Sequence, residues 1–337
     1  MEFEADQGLP DEIILEIFKR TEPKTATRCP WLPKPDCCSS LNIPDGSAVP
    51  CLLPIEFGRH GWWTIIGSQY GNVCIRYSLE GFTPAIKTWN PLLDRSRDIE
   101  DPARNLYRQA MSGYAFGYTV GTYKYFIVHV SKRHIKDRFV HCNVFSSTED
   151  KWKHGYMEDG GLRNLSSNSV FHEGKAFWIN WIGRFFTIAS DMAVFDVERF
   201  EIHKIKITRS QNQHFQNLAV TEDKLLLLGY ELTNYGVVNL IYRVDITKMK
   251  ITPWKRVVDN RQRGIPCNPI QGSINEMLII YEKIIGAKNP KDQSITEIEV
   301  WKLNLCTQNH ARIYRSWWFD DMSFADAALV SQGLLIP

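Results

Sequence analysis

The sequence lacks the features that mark secreted, membrane-spanning and nucleic-acid-binding proteins. Its longest apolar runs, such as LLLLGY at residues 225–230, are far shorter than the roughly 20 residues that a membrane-spanning helix needs. The acidic start MEFEADQGLP has neither the basic region nor the apolar core of a secretory signal. We therefore expect an intracellular protein, in the cytoplasm, the nucleus or both, with no membrane partner.

The chain also lacks an excess of charge of either sign. Across 337 residues, 40 Lys and Arg face 38 Asp and Glu, which gives a formal net charge of +2. Such a balance produces no field strong enough to indicate a DNA or RNA partner. Basic stretches such as KRHIKDR at 132–138 are local; each is read as a strand connection, with contact to an acidic partner or RNA as the alternative.

Motifs for metal binding and catalysis are missing as well. The eight cysteines include no CxxC pair, and only Cys37 and Cys38 are close, which predicts free thiols. His129, His134 and His141 are spaced by five and seven residues, which alternates faces along a strand and favours surface or packing roles. The chain has no nucleophile turn, HExxH motif, phosphate-binding loop or dinucleotide fingerprint. We expect no enzyme, no metal and no cofactor.

A helix signal stands near the start of the sequence, at residues 9–28. Pro10 suits the first turn of a helix, and acidic residues follow it. The apolar face contains Ile13, Ile14, Ile17 and Phe18 at helical spacing. A helix this short needs a partner to bury that face. The proline-rich segment 29–54 then predicts broken helix followed by a linker.

From about residue 60 onward, short strand-like runs alternate with turn residues, and the high aromatic content suits β-structure. Similar strand ends recur at Asn90, Ser146, Asp196, Asp245 and Asn304. Their spacings of ~56, ~50, ~49 and ~59 residues are close to the period of about 50 typical of kelch-like propeller blades. The sequence predicts a mainly β protein, with a short helical segment before a propeller of about five or six blades.

Seven blocks of the sequence, taken in order, resemble plant F-box proteins that carry an F-box-associated domain. The first block resembles an F-box helix, and the other six resemble segments of the β domain. The blocks are LPDEIILEIFKR (9–20), GSQYGNVCIRY (67–77), WNPLLDRSRDI (89–99), YAFGYTVGTYKYFIVHV (114–130), CNVFSSTEDKWK (142–153), SVFHEGKAFWI (169–179) and MAVFDVERFEIHKI (192–205). The resemblance implies a degenerate F-box at 1–45, a linker at 46–60 and a β-propeller-like domain at 61–337.

The resemblance implies a substrate-recognition subunit of a Skp-cullin-F-box E3 ubiquitin ligase, which would bind an unknown target protein through the β domain. A Skp-type adaptor, and through it a cullin-RING ligase, would dock on the N-terminal helix. The residues expected to contact the adaptor are Leu9, Pro10, Ile13, Ile14, Ile17 and Phe18. The alternative for this apolar face is packing on the chain's own β domain.

The F-box segment departs from the family pattern at several positions. Thr21 and Glu22 stand where a second Leu-Pro is usual, and Asp36 stands where the family has a Trp. Pro30 and Pro33 would break the third helix. These departures favour a second hypothesis, in which the chain is a propeller-like binding module with a decayed F-box that no longer joins a ligase.

Tryptophans are the candidate target-binding residues of the β domain. Exposed aromatic side chains make rigid anchors in protein interfaces, whereas packing between blades is the alternative for each of them. The candidates are Trp62, Trp63, Trp181 and Trp317. A third hypothesis, an enzyme on a propeller, would require carboxylates or histidines that converge at one mouth of the central channel.

Overall fold

A computed structural model describes most of the β region of the chain. The described ranges are 37–41, 48–52, 62–69, 72–79, 83–90, 95–103, 110–119, 124–158, 160–182, 188–221, 224–234, 236–258, 266–270, 276–285, 295–304 and 310–319. The predicted helix over 9–28 and all six predicted adaptor-binding residues lie outside these ranges.

Within these ranges the chain forms strands and turns only, and it contains no helix that could cross a membrane. The mainly β prediction is therefore confirmed for this part of the chain. Five four-stranded sheets follow one another along the sequence. In each sheet the strands pair antiparallel in sequence order, so each sheet is a simple meander. This is the blade of a β-propeller, and five blades agree with the predicted five or six.

The strand bounds are as follows. A separate hairpin contains β1 (Cys37–Leu41) and β2 (Ala48–Leu52). The first blade contains β3 (Trp62–Gln69), β4 (Asn72–Ser78), β5 (Ala85–Asn90) and β6 (Arg95–Glu100). The second contains β7 (Met111–Tyr118), β8 (Tyr125–Lys132), β9 (Phe139–Ser146) and β10 (Lys151–Glu158).

The remaining three blades repeat this pattern. The third contains β11 (Asn164–His172), β12 (Lys175–Ile182), β13 (Ile188–Asp196) and β14 (Glu201–Lys206). The fourth contains β15 (Gln213–Thr221), β16 (Lys224–Thr233), β17 (Gly236–Asp245) and β18 (Lys250–Val258). The fifth contains β19 (Pro266–Ile270), β20 (Glu276–Ile285), β21 (Ile295–Asn304) and β22 (His310–Phe319).

The predicted repeat is confirmed, because each of its five marker residues is the last residue of the third strand of a blade. These residues are Asn90, Ser146, Asp196, Asp245 and Asn304. In the third and fourth blades the residue at this position, Asp196 or Asp245, caps the turn to the fourth strand. Asp196 shows the mechanism, since its carboxylate accepts hydrogen bonds from the backbone N–H groups of Glu198 and Arg199, at 3.1 and 3.0 Å.

Neighbouring blades bury apolar side chains against each other. One cluster, which includes Ile86, Phe116 and Ile127, joins the first blade to the second. Two further clusters join the second blade to the third and the third to the fourth. The first strands approach most closely at Gly117 of β7, where an added Cβ would lie 2.4 Å from the Cβ of Phe171 in β11. Only glycine permits this contact between strands.

The hairpin of β1 and β2 differs from the broken helix and linker that the prolines of segment 29–54 predict. Pro50 lies inside β2, where its Cα pairs with that of Ser39. Proline is tolerated there because both strands of a two-stranded sheet are edge strands, so the missing N–H need not interrupt a ladder. The predicted limits at residues 45 and 60 stay predictions.

Candidate functional site

The first strands of neighbouring blades run in the same direction, which gives the propeller two distinct faces. Gly113 and Gly117 of β7 lie beside Leu165 and Phe171 of β11, in the same order along both strands. The strands β3, β7, β11 and β15 therefore begin on one face, at Trp62, Met111, Asn164 and Gln213. We call this the leading face.

Three of the four predicted tryptophans lie at the leading face, and the fourth occupies the equivalent strand end of the fifth blade. Trp62 and Trp63 begin β3, while Trp181 is near the end of β12, where it pairs with Asn164. Trp317 occupies the corresponding end of β22, in register with Glu297. Trp62, Trp63 and Trp181 are therefore brought to one face, on the first or second strand of their blades, and Trp317 is on the fourth strand of its blade.

The degree of exposure separates these tryptophans. The Trp62 side chain is 39% exposed, and Trp63 is half-buried. Trp181 is also half-buried, and it packs against the apolar cluster between the third and fourth blades. Trp62 is thus the one of these three most available to a partner, while Trp181 combines blade packing with a surface position.

A polar cluster lies beside Trp62, at the seam between the first and second blades. Asp101, which directly follows β6, is buried and accepts hydrogen bonds from Arg76 Nε at 2.7 Å and from the Tyr114 hydroxyl at 2.8 Å. The backbone N–H of Ala103 donates to the same carboxylate at 2.8 Å. The guanidinium of Arg76 also lies over the rings of Trp62 and Tyr114, with centroids at 5.1 and 4.8 Å. One buried carboxylate thereby orients the cation under an exposed tryptophan.

From Tyr114 a row of polar side chains crosses the whole second blade. Tyr114, His129, Asn143 and His154 are in direct cross-strand register, so their side chains share the side that faces the first blade. Tyr114 stacks on His129 with centroids 4.3 Å apart. Asn143 joins the two histidines, with its amide 3.0 Å from His129 Nδ1 and 2.6 Å from His154 Nδ1.

The electrostatics of this row follow from burial. Burial lowers the pKa of His129 to about 3, with repulsion from Arg76 and His141 as smaller causes. The ring is therefore neutral at pH 7. Its Nδ1 then accepts from the Asn143 amide, and its Nε2 donates to the Ser112 hydroxyl at 3.2 Å. Burial, followed by the negative charge of Asp101, raises the pKa of Tyr114 well above its usual value.

The three histidines that are close in sequence are separated in the structure. His129 is enclosed in the row, His134 is exposed at the turn between β8 and β9, and His141 lies beside the ring of Tyr156 with centroids 4.5 Å apart. Among the residues that the structure describes, no three His, Cys, Asp or Glu side chains form a group that could hold a metal ion.

The turn between β8 and β9 also lies at the leading face, and it exposes side chains that sequence reasoning did not select. Ile135, Phe139 and Tyr156 are 46%, 53% and 71% exposed. The sequence did mark the basic residues of this turn, but a strand connection explained them equally well. No signal identified Phe139 or Tyr156, because alternating apolar residues in a strand predict burial of one side.

Acidification is expected to destabilise the fold through His129. Its pKa in the folded state lies below the ordinary value of 6.5, so the unfolded chain binds more protons between pH 6.5 and about 3. The free energy of unfolding is therefore highest above pH 6.5 and falls as the pH drops. The expected loss from this residue is about 2 kcal/mol between pH 7 and pH 5. Urea titrations over this range measure it.

The matched variants are His129→Gln, which removes the titrating ring, and His134→Gln, which removes an exposed ring from the turn. The first variant should be less stable than the wild type at pH 7 but should show a flatter dependence on pH. The second should keep the wild-type slope. An unchanged slope in His129→Gln would show that the acid sensitivity arises elsewhere.

Solved structures align with this chain at low identity and low TM-scores. An oligogalacturonate lyase in complex with manganese aligns with a TM-score of 0.45 and 10% identity, covering 82% of this chain and 70% of the lyase. The propeller domain of the Trilobed protease from Pyrococcus furiosus aligns with a TM-score of 0.43 and 10% identity, covering 76% of this chain and 72% of that domain. A search of curated proteins finds no match.

A family model identifies the region that contains most of the blades. The model of the F-box associated beta propeller domain matches residues 80–282. This is more than half of the 337 residues, and it includes the second, third and fourth blades entirely. The match thus covers the polar row and the leading-face positions of Trp181 and Tyr156. The chain belongs to the family of proteins with an F-box associated β-propeller domain.

Proposed function

We propose that this chain is the substrate-recognition subunit of a Skp-cullin-F-box type E3 ubiquitin ligase. The observation that carries the proposal is the match of the F-box associated propeller domain to residues 80–282. A β-propeller of this family is a protein-interaction module, and such a domain suits a receptor that selects a target. The N-terminal segment, through its resemblance to an F-box helix, supplies the link to the ligase.

The β domain would hold the target protein at the leading face. That face presents Trp62, whose ring is supported by Arg76 and, through it, by the buried carboxylate of Asp101. An aromatic ring fixed in this way loses little conformational entropy on binding, which is what makes such residues effective anchors. Trp181 lies at the same face, and Trp317, near the corresponding end of β22, is a further candidate contact.

The mechanism is proximity, with no covalent chemistry in this chain. The receptor would hold a target protein beside the ligase so that ubiquitin reaches nearby lysines, and the rate gain comes from this increase in effective concentration. Such a complex operates inside the cell, in the cytoplasm or nucleus. In this role the subunit binds neither a cofactor nor a nucleic acid.

A pull-down with a Skp-type adaptor tests the link to the ligase. The wild-type chain is compared with an Ile13→Asp plus Ile17→Asp variant, which places two charges on the expected docking face. The matched control is Lys19→Asp, which changes the net charge by the same amount outside the apolar positions. We expect the wild type and the control to bind and the double variant to lose binding, because an apolar helix-in-groove contact does not tolerate buried charge.

The opposite outcome favours the second candidate function. If the wild type binds no Skp-type adaptor, the chain is a propeller binding module with a decayed F-box. The departures at Thr21, Glu22 and Asp36 motivate this candidate. In that case target binding at the leading face is still expected, because it depends on the propeller and not on the N-terminal helix.

A further inference from the structure

The turn between β8 and β9 is held in one conformation by its own hydrogen bonds. His134 N–H donates to the Asp137 carboxylate at 2.8 Å, and Asp137 N–H donates to the His134 carbonyl at 3.1 Å. The buried Lys132 donates from Nζ to the Ile135 carbonyl at 3.1 Å. A surface that is already ordered loses less entropy when a partner binds.

This ordered turn exposes apolar side chains next to cations. Ile135 and Phe139 lie within seven residues that also contain Arg133, Lys136 and Arg138, all three of them exposed. Tyr156 of β10 joins them, since it pairs with His141 and therefore lies diagonal to Phe139 on the same side of the blade. We call this set of six residues the tip patch: Arg133, Ile135, Lys136, Arg138, Phe139 and Tyr156.

The first blade covers the neighbouring part of the same sheet but not the tip patch. Trp152, two rows away toward the opposite end of β10, donates from Nε1 to the Glu100 carbonyl at 2.9 Å, at the end of β6. Tyr156, four residues further along β10, is 71% exposed. Exposed aromatic and aliphatic groups at one end of a blade are typical of an interaction surface.

The charges of the tip patch indicate the chemistry of its partner. The patch has three exposed cations, and the one acidic residue of the turn, Asp137, already accepts a hydrogen bond from the His134 backbone. The chain as a whole has a net charge of only +2, so this concentration of cations is local. A complementary partner carries carboxylates beside apolar side chains.

We infer that the tip patch binds an acidic, amphipathic peptide segment of a partner protein. Arg133, Lys136 and Arg138 contact its carboxylates, while Ile135, Phe139 and Tyr156 contact its apolar side chains. That the partner is a ligase target rests on the proposed function; the binding itself does not. The inference adds a second contact to the leading face, because the tip patch is on the second blade while Trp62 begins the first.

A peptide fits the patch better than nucleic acid does. Nucleic-acid surfaces rely on a broad field of cations that tracks the phosphate backbone. Here the cations are few, and the exposed carboxylate-bearing Glu158 is paired directly with Phe139, which places a negative charge beside the rings on which bases would stack. Binding to RNA is nevertheless a distinct outcome of the experiment below.

Fluorescence anisotropy with the full-length chain tests the inference. The probe is a labelled peptide of about 15 residues in which Asp and Glu alternate with Leu and Phe, which is a length that an interaction surface of this kind can accommodate. Two comparison peptides replace either the acids by Asn and Gln or the apolar residues by Ala. A single-stranded RNA of similar length is the fourth probe. We expect binding of the first probe, weakened at least tenfold by either change and reduced by salt.

Two tip-patch variants and one control localise the binding. The triple variant Arg133→Ser, Lys136→Ser and Arg138→Ser removes the cations, and Phe139→Thr plus Tyr156→Thr removes the rings while keeping strand propensity. Each should weaken peptide binding about tenfold or more. The control removes three exposed cations of the third and fourth blades, through Arg199→Ser, Lys206→Ser and Lys248→Ser, and should bind as the wild type does.

Several results would overturn the inference. The inference fails if the acidic peptide does not bind, or if the RNA binds more tightly than the peptide. It also fails if the control variant weakens peptide binding as much as the tip-patch variants do, or if both tip-patch variants bind the peptide as the wild type does. Circular dichroism confirms that each variant is folded. Failure here leaves the adaptor pull-down untouched, since that assay depends on residues 9–20. Conversely, loss of adaptor binding in the pull-down leaves peptide binding intact.

Discussion

Replacing Asp101 by alanine is expected to lower the free energy of unfolding by about 3–5 kcal/mol, because it removes the buried partner of a part-buried ion pair and the common acceptor of three hydrogen bonds. Asp101 is 1% exposed and is the common acceptor for Arg76, the Tyr114 hydroxyl and the Ala103 backbone N–H. Alanine would leave the hydroxyl of Tyr114 without this acceptor and the Arg76 cation without its countercharge. Buried donors left unsatisfied cost much more than the original bonds contributed.

Chemical denaturation followed by tryptophan fluorescence measures this loss. The matched control is Asp98→Ala, three residues earlier, which also removes a carboxylate from the first blade. The Asp98 side chain is 64% exposed, and it pairs with Lys87 Nζ at 2.7 Å and with the Tyr77 hydroxyl at 3.0 Å. Lys87 itself is buried, but the pair opens to solvent on the Asp98 side, so a smaller loss of about 1–2 kcal/mol is expected for this control. Equal losses in the two variants would show that Asp101 does not hold the seam together.

The same substitution should disturb the leading face. Without Asp101 the guanidinium of Arg76 loses the contact that fixes it between the rings of Trp62 and Tyr114. Trp62 would then lose the support of Arg76 although Trp62 itself is not mutated. If Trp62 anchors a target, target binding should weaken in Asp101→Ala even under conditions where the variant is fully folded.

The architecture could be predicted from the sequence because local chemistry repeats with every blade. A polar residue ends each third strand, and in the third and fourth blades it caps the following turn, so the spacing of Asn90, Ser146, Asp196, Asp245 and Asn304 measures the blade length directly. Strand positions follow from alternating or continuous apolar runs. Both signals arise from residues that are close in the sequence, and the chain repeats them in each of its five blades.

The seam between the first and second blades could not be predicted in the same way. Arg76 and Asp101 are 25 positions apart, and Asp101 and Tyr114 are 13 apart, in different blades. No local pattern states that an arginine near the end of β4 will meet an aspartate after β6. The adjacent acids Glu100 and Asp101 look alike in the sequence, yet Glu100 is exposed whereas Asp101 is buried.

The candidate site was predictable in part. Tryptophans could be chosen by residue type, and the meander order then brings Trp62, Trp63 and Trp181 to one face. Their separation into exposed and packed residues depends on the neighbouring blade, which the sequence does not reveal. For the same reason Phe139 and Tyr156 were missed: their exposure depends on where the first blade ends.

Replacing Trp178 by alanine is the second change expected to have a large effect, again about 3–5 kcal/mol. Trp178 is 1% exposed in the third blade and lies in the apolar cluster shared with the second blade. Its indole Nε1 donates to the Tyr114 carbonyl of β7 at 2.9 Å. Alanine would leave a cavity between two blades and remove a hydrogen bond that crosses the boundary.

Two further variants separate the cavity from the hydrogen bond. Trp178→Phe keeps most of the apolar volume but leaves the Tyr114 carbonyl without this donor, so an intermediate loss of about 1–3 kcal/mol is expected. Trp62→Ala, the control, removes the same side chain from the leading face, where it is 39% exposed, and should cost about 1 kcal/mol or less. If Trp178→Ala were no more damaging than Trp62→Ala, blade packing would not depend on this residue. If Trp178→Ala loses stability but still binds the target, Trp178 serves the fold. If Trp62→Ala stays stable but loses target binding, Trp62 serves recognition.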